Sequence, residues 1–191
     1  MKNLNEVSAA LDSNIPRSAI STRQGPGGKS LSYLATHHVI DRMNKVLGQF
    51  SWSSETVEIR CVHSGEVEGY GGKKKHTAHY LARVKIEVQA RDENNVVHRT
   101  SHMGVGYGDG DDGQNPGKAH ELAMKEAESD ALKRACKNLG QSMGLALYDK
   151  EQTNVDEDAA PAKAPEQPAA KPAPFPKAKA MGKGATRSKM C

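Results

Sequence analysis

Lys133, Arg134 and Lys137 are the residues whose types and spacing point most directly to chemistry. At ~100° per residue on a helix they gather within one turn, while Ala131, Leu132, Ala135, Cys136 and Leu139 fall on the opposing arc. One side then packs on a core and the other presents fixed positive charge. A phosphate backbone asks for such an arrangement, because bound cations release its condensed counterions. The same pattern also fits an ordinary solvated helix face, with Glu126 and Asp130 close enough to pair with Arg134 and Lys137. No Ser/His/Asp order, paired carboxylate or metal-spaced cluster stands out, so no catalytic group, metal or cofactor is expected.

The helix that carries these cations starts at Asn115, a good N-cap, with Pro116 in the first helical position. Gly140 is placed to adopt a left-handed stop just past its end. Near the start of the chain, Asn3 and Glu6 form a capping box for a short helix bearing Leu4, Val7 and Leu11, closed off by Pro16. Residues 33–47 read as a second helix, with Val39, Ile40, Met43, Val46 and Leu47 on one side and Gly48 as its stop. His37 and His38 are adjacent, so a helix sends them to different faces and they cannot share a metal.

Three strands follow. Residues 52–63 put Val57, Ile59 and Cys61 on one face. In the clearest strand Ala78, Tyr80, Ala82, Val84, Ile86, Val88 and Ala90 alternate with polar residues, and a third, weaker one runs from about Val96 to Tyr107. Their close spacing predicts an antiparallel meander, covered on one face by the helices, in an α+β fold.

Two Gly-rich stretches invite nucleotide-binding readings and fail them. In RQGPGGKSLS the first glycine of a phosphate loop would have to occupy position 23, which is Arg23. In GVGYGDGDDGQNPG, Gly104, Gly106 and Gly108 do not open directly onto a helix, and Asp109, Asp111 and Asp112 would repel a pyrophosphate. The latter stretch reads as a flexible connection.

Composition bounds the rest. Hydrophobic residues make up 36% of the 191, and the mean hydropathy of −0.71 implies that part of the chain joins no core. The expected organisation is a folded domain over 1–150 and a disordered Ala/Pro/Lys-rich tail over 151–191. The net charge of +4 divides evenly between body and tail, so binding of an anionic partner has to rest on local clustering. Cys61, Cys136 and Cys191 are odd in number and widely spaced, which suits a reducing compartment. With no signal-peptide core or membrane-length apolar run, a cytoplasmic setting in a bacterial or phage-infected cell is expected.

The Gly-rich loop, SYLATHHVIDRMNKVLGQFSW, three strands, VGYG and KEAESDALKRACKNLGQSMGLALYDK stand in an order that resembles the Rad-fifty-two-type single-strand annealing proteins, phage Sak-type annealases included. The likeness runs from about Ile20 to Lys150 and is sharpest at DALKRA, Gly140 and LYDK. It implies a β-β-β-α core, subunits joined in a ring or helical assembly, and a groove that holds single-stranded DNA by its backbone. Bases stay displayed for pairing, no ATP is used, and duplex DNA is a further ligand. By this resemblance Lys133, Arg134 and Lys137 line the inner groove, His38 and Arg42 belong to a groove-lining helix, and Lys73, Lys74 and Lys75 form a second, peripheral DNA site. Lys137 and His38 stand where the family often carries arginine. The alternative is a passive single-strand binder or recombination mediator, its tail contacting a single-strand-binding protein or recombinase.

Overall fold

The computed structural model describes residues 1–149 and 151–156. The chain opens with helix α1 (Leu4–Leu11), strand β1 (Ile15–Pro16), a hairpin of β2 (Ile20–Gln24) and β3 (Ser30–Leu34), and helix α2 (Thr36–Leu47). Three long strands follow, β4 (Trp52–Glu68), β5 (Lys74–Arg91) and β6 (Val97–Asp112), then helix α3 (Pro116–Lys137) and a last short strand, β7 (Val155–Asp156). The sheet β4-β5-β6 is antiparallel in sequence order, the meander expected of an α+β chain.

Local signals set the helix ends. Asn3 accepts the Asn5 amide at the start of α1, and Asn115 accepts the Lys118 amide at the start of α3, with Pro116 in the first turn. Gly48, at φ 94°, stops α2. Gly140 does not act this way. Helix α3 ends at Lys137, and Gly140 instead lies where a Cβ would stand 2.6 Å from the Leu11 carbonyl oxygen.

α3 lies along β5 and β6 on a contact built from the smallest side chains. Ala119, Ala123, Ala127, Ala131 and Ala135, spaced by four, are all buried. Facing them, Gly104, Gly106, Gly108 and Gly110 alternate along β6. A Cβ on Gly104 would sit 2.0 Å from the Ala131 carbonyl oxygen, and Cβ atoms on the other three would meet helix backbone at 2.2 Å. The spacings agree because four helical residues rise ~6 Å and two strand residues ~6.7 Å. The main apolar core lies at one end, where Val7, Val39, Met43, Leu47, Ile86, Cys136 and Met143 come together. Toward the start of α3 it thins to Ala78, Ala119 and Ala123.

Four further sequence expectations are corrected. The glycine stretch after Tyr107 is not a loop: β6 continues to Asp112, its glycines being the helix-facing positions. Tyr33 belongs to β3 and not to α2, which starts only at Thr36. Val57, Ile59 and Cys61 do not form a buried face, because α3 lies along β5 and β6 and barely reaches β4, and all three are exposed. The body also continues past Lys150, since Val155 is buried and pairs with Ile15. The rest of the Ala/Pro/Lys-rich tail, 157–191, lies outside the described residues. Among the described residues, no helix is long and apolar enough to cross a membrane.

Two outcomes follow from this packing. Gly106→Ala should cost about 3 kcal/mol by overpacking, lowering the melting temperature by ~6–12 °C in a scanning calorimetry comparison. Burial pushes the Cys136 thiol up to about 12 from an ordinary 9.0. The unfolded chain therefore gives up this proton first, and stability should fall as pH rises from about 9 toward 12. Denaturant titrations of wild type and Cys136→Ala, compared for slope against pH, check this.

Candidate nucleic-acid interface

The β2–β3 hairpin turns on Gly27 and Gly28, at φ 72° and 75°, a conformation glycine adopts without strain. The hairpin and the last half of α3 enclose a groove of about 600 Å³. The hairpin contributes Arg23, Leu31 and Tyr33; β6 contributes Tyr107 and Asp109; α3 contributes Glu126, Asp130, Lys133, Arg134 and Lys137. Tyr148, in the turn after α3, also lines it. The three cations read from the sequence are thus brought together, on the face of α3 opposite its buried Ala135 and Cys136.

The cations are held in two ways. The Lys133 Nζ lies 5.7 Å from the centroid of the Tyr33 ring, and the Lys137 Nζ lies 3.9 Å from that of Tyr148. An aromatic face steadies an ammonium group without cancelling its charge, so both lysines remain available to an anion. Neither has a carboxylate partner among the described residues. Arg134, by contrast, donates its Nε–H to Asp130 at 2.8 Å, a hydrogen bond that raises its pKa further above the ordinary guanidinium value. Arg23 faces Glu126 at 3.9 Å. The groove thus carries Arg23, Lys133, Arg134 and Lys137 against Asp109, Glu126 and Asp130, an excess of one positive charge.

His38 and Arg42 do not line this groove. Arg42 donates through Nη2 to the Ala10 carbonyl at 2.8 Å and the Ser13 hydroxyl at 2.7 Å, tying the end of α1 to α2. Arg42 therefore lies outside this groove and joins two helices. His38 is half-buried, and that burial lowers its pKa against the opposing pull of Asp41, so it is neutral at pH 7. Lys73, Lys74 and Lys75 sit at the β4–β5 turn and the start of β5, away from the groove. Lys74 pairs with Glu66 at 3.2 Å and Lys75 with Asp111, which leaves Lys73 as the exposed member without a carboxylate partner among the described residues.

Sequence reasoning missed Arg23, Tyr33 and Tyr148 as groove residues. In the sequence Arg23 stands out only for breaking a phosphate-loop spacing, and Tyr33 reads as helical. Tyr148 did carry a signal, since it stands in the closing LYDK. Among the described residues no group of three or more His, Cys, Asp or Glu is placed to hold a metal ion.

A model of the Rad52/22 family of double-strand break repair proteins matches residues 3–165. The chain is 37% identical over 131 residues to the DNA repair and recombination protein rti1 of Schizosaccharomyces pombe, covering 69% of this chain and 32% of that protein. It is 30% identical over 146 residues to rad22 of the same organism, covering 76% of this chain and 29% of that protein. With RAD52 of Saccharomyces cerevisiae it shares 27% over 146 residues, 76% of this chain and 28% of that one. The match spans about a third or less of each relative's length. All three relatives are fungal, and they lend no support to a phage or bacterial setting. With that family's model matching from the first helix to beyond the last strand, the chain belongs to the Rad52/22 family of double-strand break repair proteins.

Proposed function

We propose that this chain binds single-stranded DNA by its backbone and anneals complementary strands without ATP, as part of recombination and repair. The observation that carries this reading is the groove between the β2–β3 hairpin and α3. It gathers Lys133, Arg134 and Lys137, two of them held on tyrosine rings with no carboxylate partner among the described residues. The names of the relatives, DNA repair and recombination proteins, point the same way.

One excess positive charge per groove is a weak grip for a single subunit. Repetition of the groove in a homo-oligomer, ring or helical, would string such sites into a track, making binding cooperative and salt-sensitive. With lysines meeting phosphates, the bases are left for a second strand. Bringing two such strands together raises their effective concentration, and base pairing then drives the reaction. No group is required to make or break a covalent bond. His38, neutral at pH 7, adds no charge to this track, and Lys73, with its paired neighbours, would form at most a weaker second contact. A single-strand-binding protein or recombinase remains the proposed partner of the residues beyond Asp156.

Annealing of complementary labelled oligonucleotides, in EDTA and without nucleotide, tests the reading directly. Acceleration over the protein-free rate that fades with salt is expected. Tight single-strand binding without acceleration would instead favour a passive binder or mediator. Lys133→Ala with Arg134→Ala should abolish annealing while leaving the assembly unchanged by light scattering. Lys137→Ala should weaken binding on all sequences alike and reduce the salt slope by ~0.7, one single-strand phosphate contact.

A further inference from the structure

Along the flank of α3 that borders the groove, two carboxylates are held alike. Asp130 Oδ2 accepts the Tyr107 backbone N–H at 3.4 Å and the Arg134 Nε–H at 2.8 Å. One turn earlier, Glu126 Oε2 accepts the Asp109 backbone N–H at 3.2 Å, while its Oε1 lies 3.9 Å from Arg23 Nη1. β6 is an edge strand of its sheet, and these two amides donate to α3. The pattern repeats because one helical turn along α3 keeps pace with two residues along β6, as it does for the glycines beside them.

A carboxylate in a groove meant for phosphate calls for a reason. Its charge opposes the ligand, so charge alone predicts that removing it tightens binding. The geometry predicts the opposite for Asp130. Its Oδ2 is anchored by the β6 amide, and it engages Arg134 through Nε, leaving both Nη groups of the guanidinium unbonded among the described residues. Those are the groups that meet a phosphate as a fork, and a guanidinium already fixed in plane loses less freedom when they do. We propose that Asp130 is a positioning residue of the DNA groove: braced by the edge of β6, it presents Arg134 to the phosphate backbone. This inference rests on the groove being the single-strand site proposed above.

The experiment measures binding of the full chain to labelled oligothymidylate at fixed salt. It compares wild type with Asp130→Ala, Asp130→Asn, Arg134→Ala and the Asp130→Ala/Arg134→Ala pair, with melting temperatures recorded for each. Asp130→Ala should weaken binding by roughly 3- to 10-fold, toward the low end of the coupling between contacting neighbours, although it removes a negative charge. Asp130→Asn, whose amide oxygen still accepts both hydrogen bonds, should restore affinity to the wild-type level or better. On the Arg134→Ala background, Asp130→Ala should cost nothing further. Unchanged or tighter binding by Asp130→Ala would overturn the proposal and leave Asp130 as a competing charge. An equal loss with and without Arg134 would also overturn it, reducing Asp130 to a cap on β6. If Arg134→Ala itself binds as wild type, the groove reading fails and this inference with it. Should Asp130→Ala not fold, Asp130→Glu takes its place: it keeps the charge but displaces it by one methylene, so weaker binding supports the proposal and wild-type binding overturns it.

Discussion

The contact that the rest of the molecule depends on is the close approach of α3 to β6. Four glycines on alternate strand positions face an alanine every four helical residues, and no Cβ fits at any of the four glycines. Close-packed interiors do not yield to added atoms, so the helix axis is held at one height over the sheet. Little apolar area is buried per residue in such a seam. Its contribution is geometric: it fixes where every other side chain of α3 points.

The groove follows from that placement. With Ala119 to Ala135 committed to the sheet, Glu126, Asp130, Lys133, Arg134 and Lys137 must emerge along one flank, beside the free edge of β6. The hairpin of β2 and β3 supplies the opposite wall, and Tyr33 on it reaches Lys133. Two kinds of holder result. Tyrosine rings steady Lys133 and Lys137 and leave their charge intact, while Asp130 steadies Arg134 at the cost of neutralising part of it. A groove charged in this balanced way holds a polyanion through repetition along a strand more than through any single contact.

The thick end of the core has a different task. α1 and α2 pack there against the end of α3, and Arg42 stitches Ala10 and Ser13 to α2 with two hydrogen bonds. An arginine on a helix that resembles a groove-lining element was therefore drawn into scaffolding. Ser142 donates to the same Ala10 carbonyl at 3.0 Å, and the Ser13 hydroxyl does so at 2.9 Å, so one backbone oxygen accepts three half-buried hydrogen bonds at the junction of three elements.

What the sequence alone determined is what depends on neighbours within one turn or one strand. The caps Asn3 and Asn115, the stop at Gly48, the alternation of β5 and the clustering of Lys133, Arg134 and Lys137 were all legible, because each rests on local spacing and local chemistry. The motif order also led to the right family. What only the tertiary structure decided is what depends on a partner remote in the chain. Gly104 to Gly110 read as a loop, since glycine has no side chain to mark a buried face, and the alanines that explain them lie in another element. Val57 and Cys61 lack their expected burial because α3 covers β5 and β6 and barely reaches β4, which no periodicity announces. Arg42 reads identically whether it meets phosphate or the end of α1; only packing chooses between them. The brace from Tyr107 through Asp130 to Arg134 requires a strand edge and a helix flank in contact, a relation that exists only once the chain has folded.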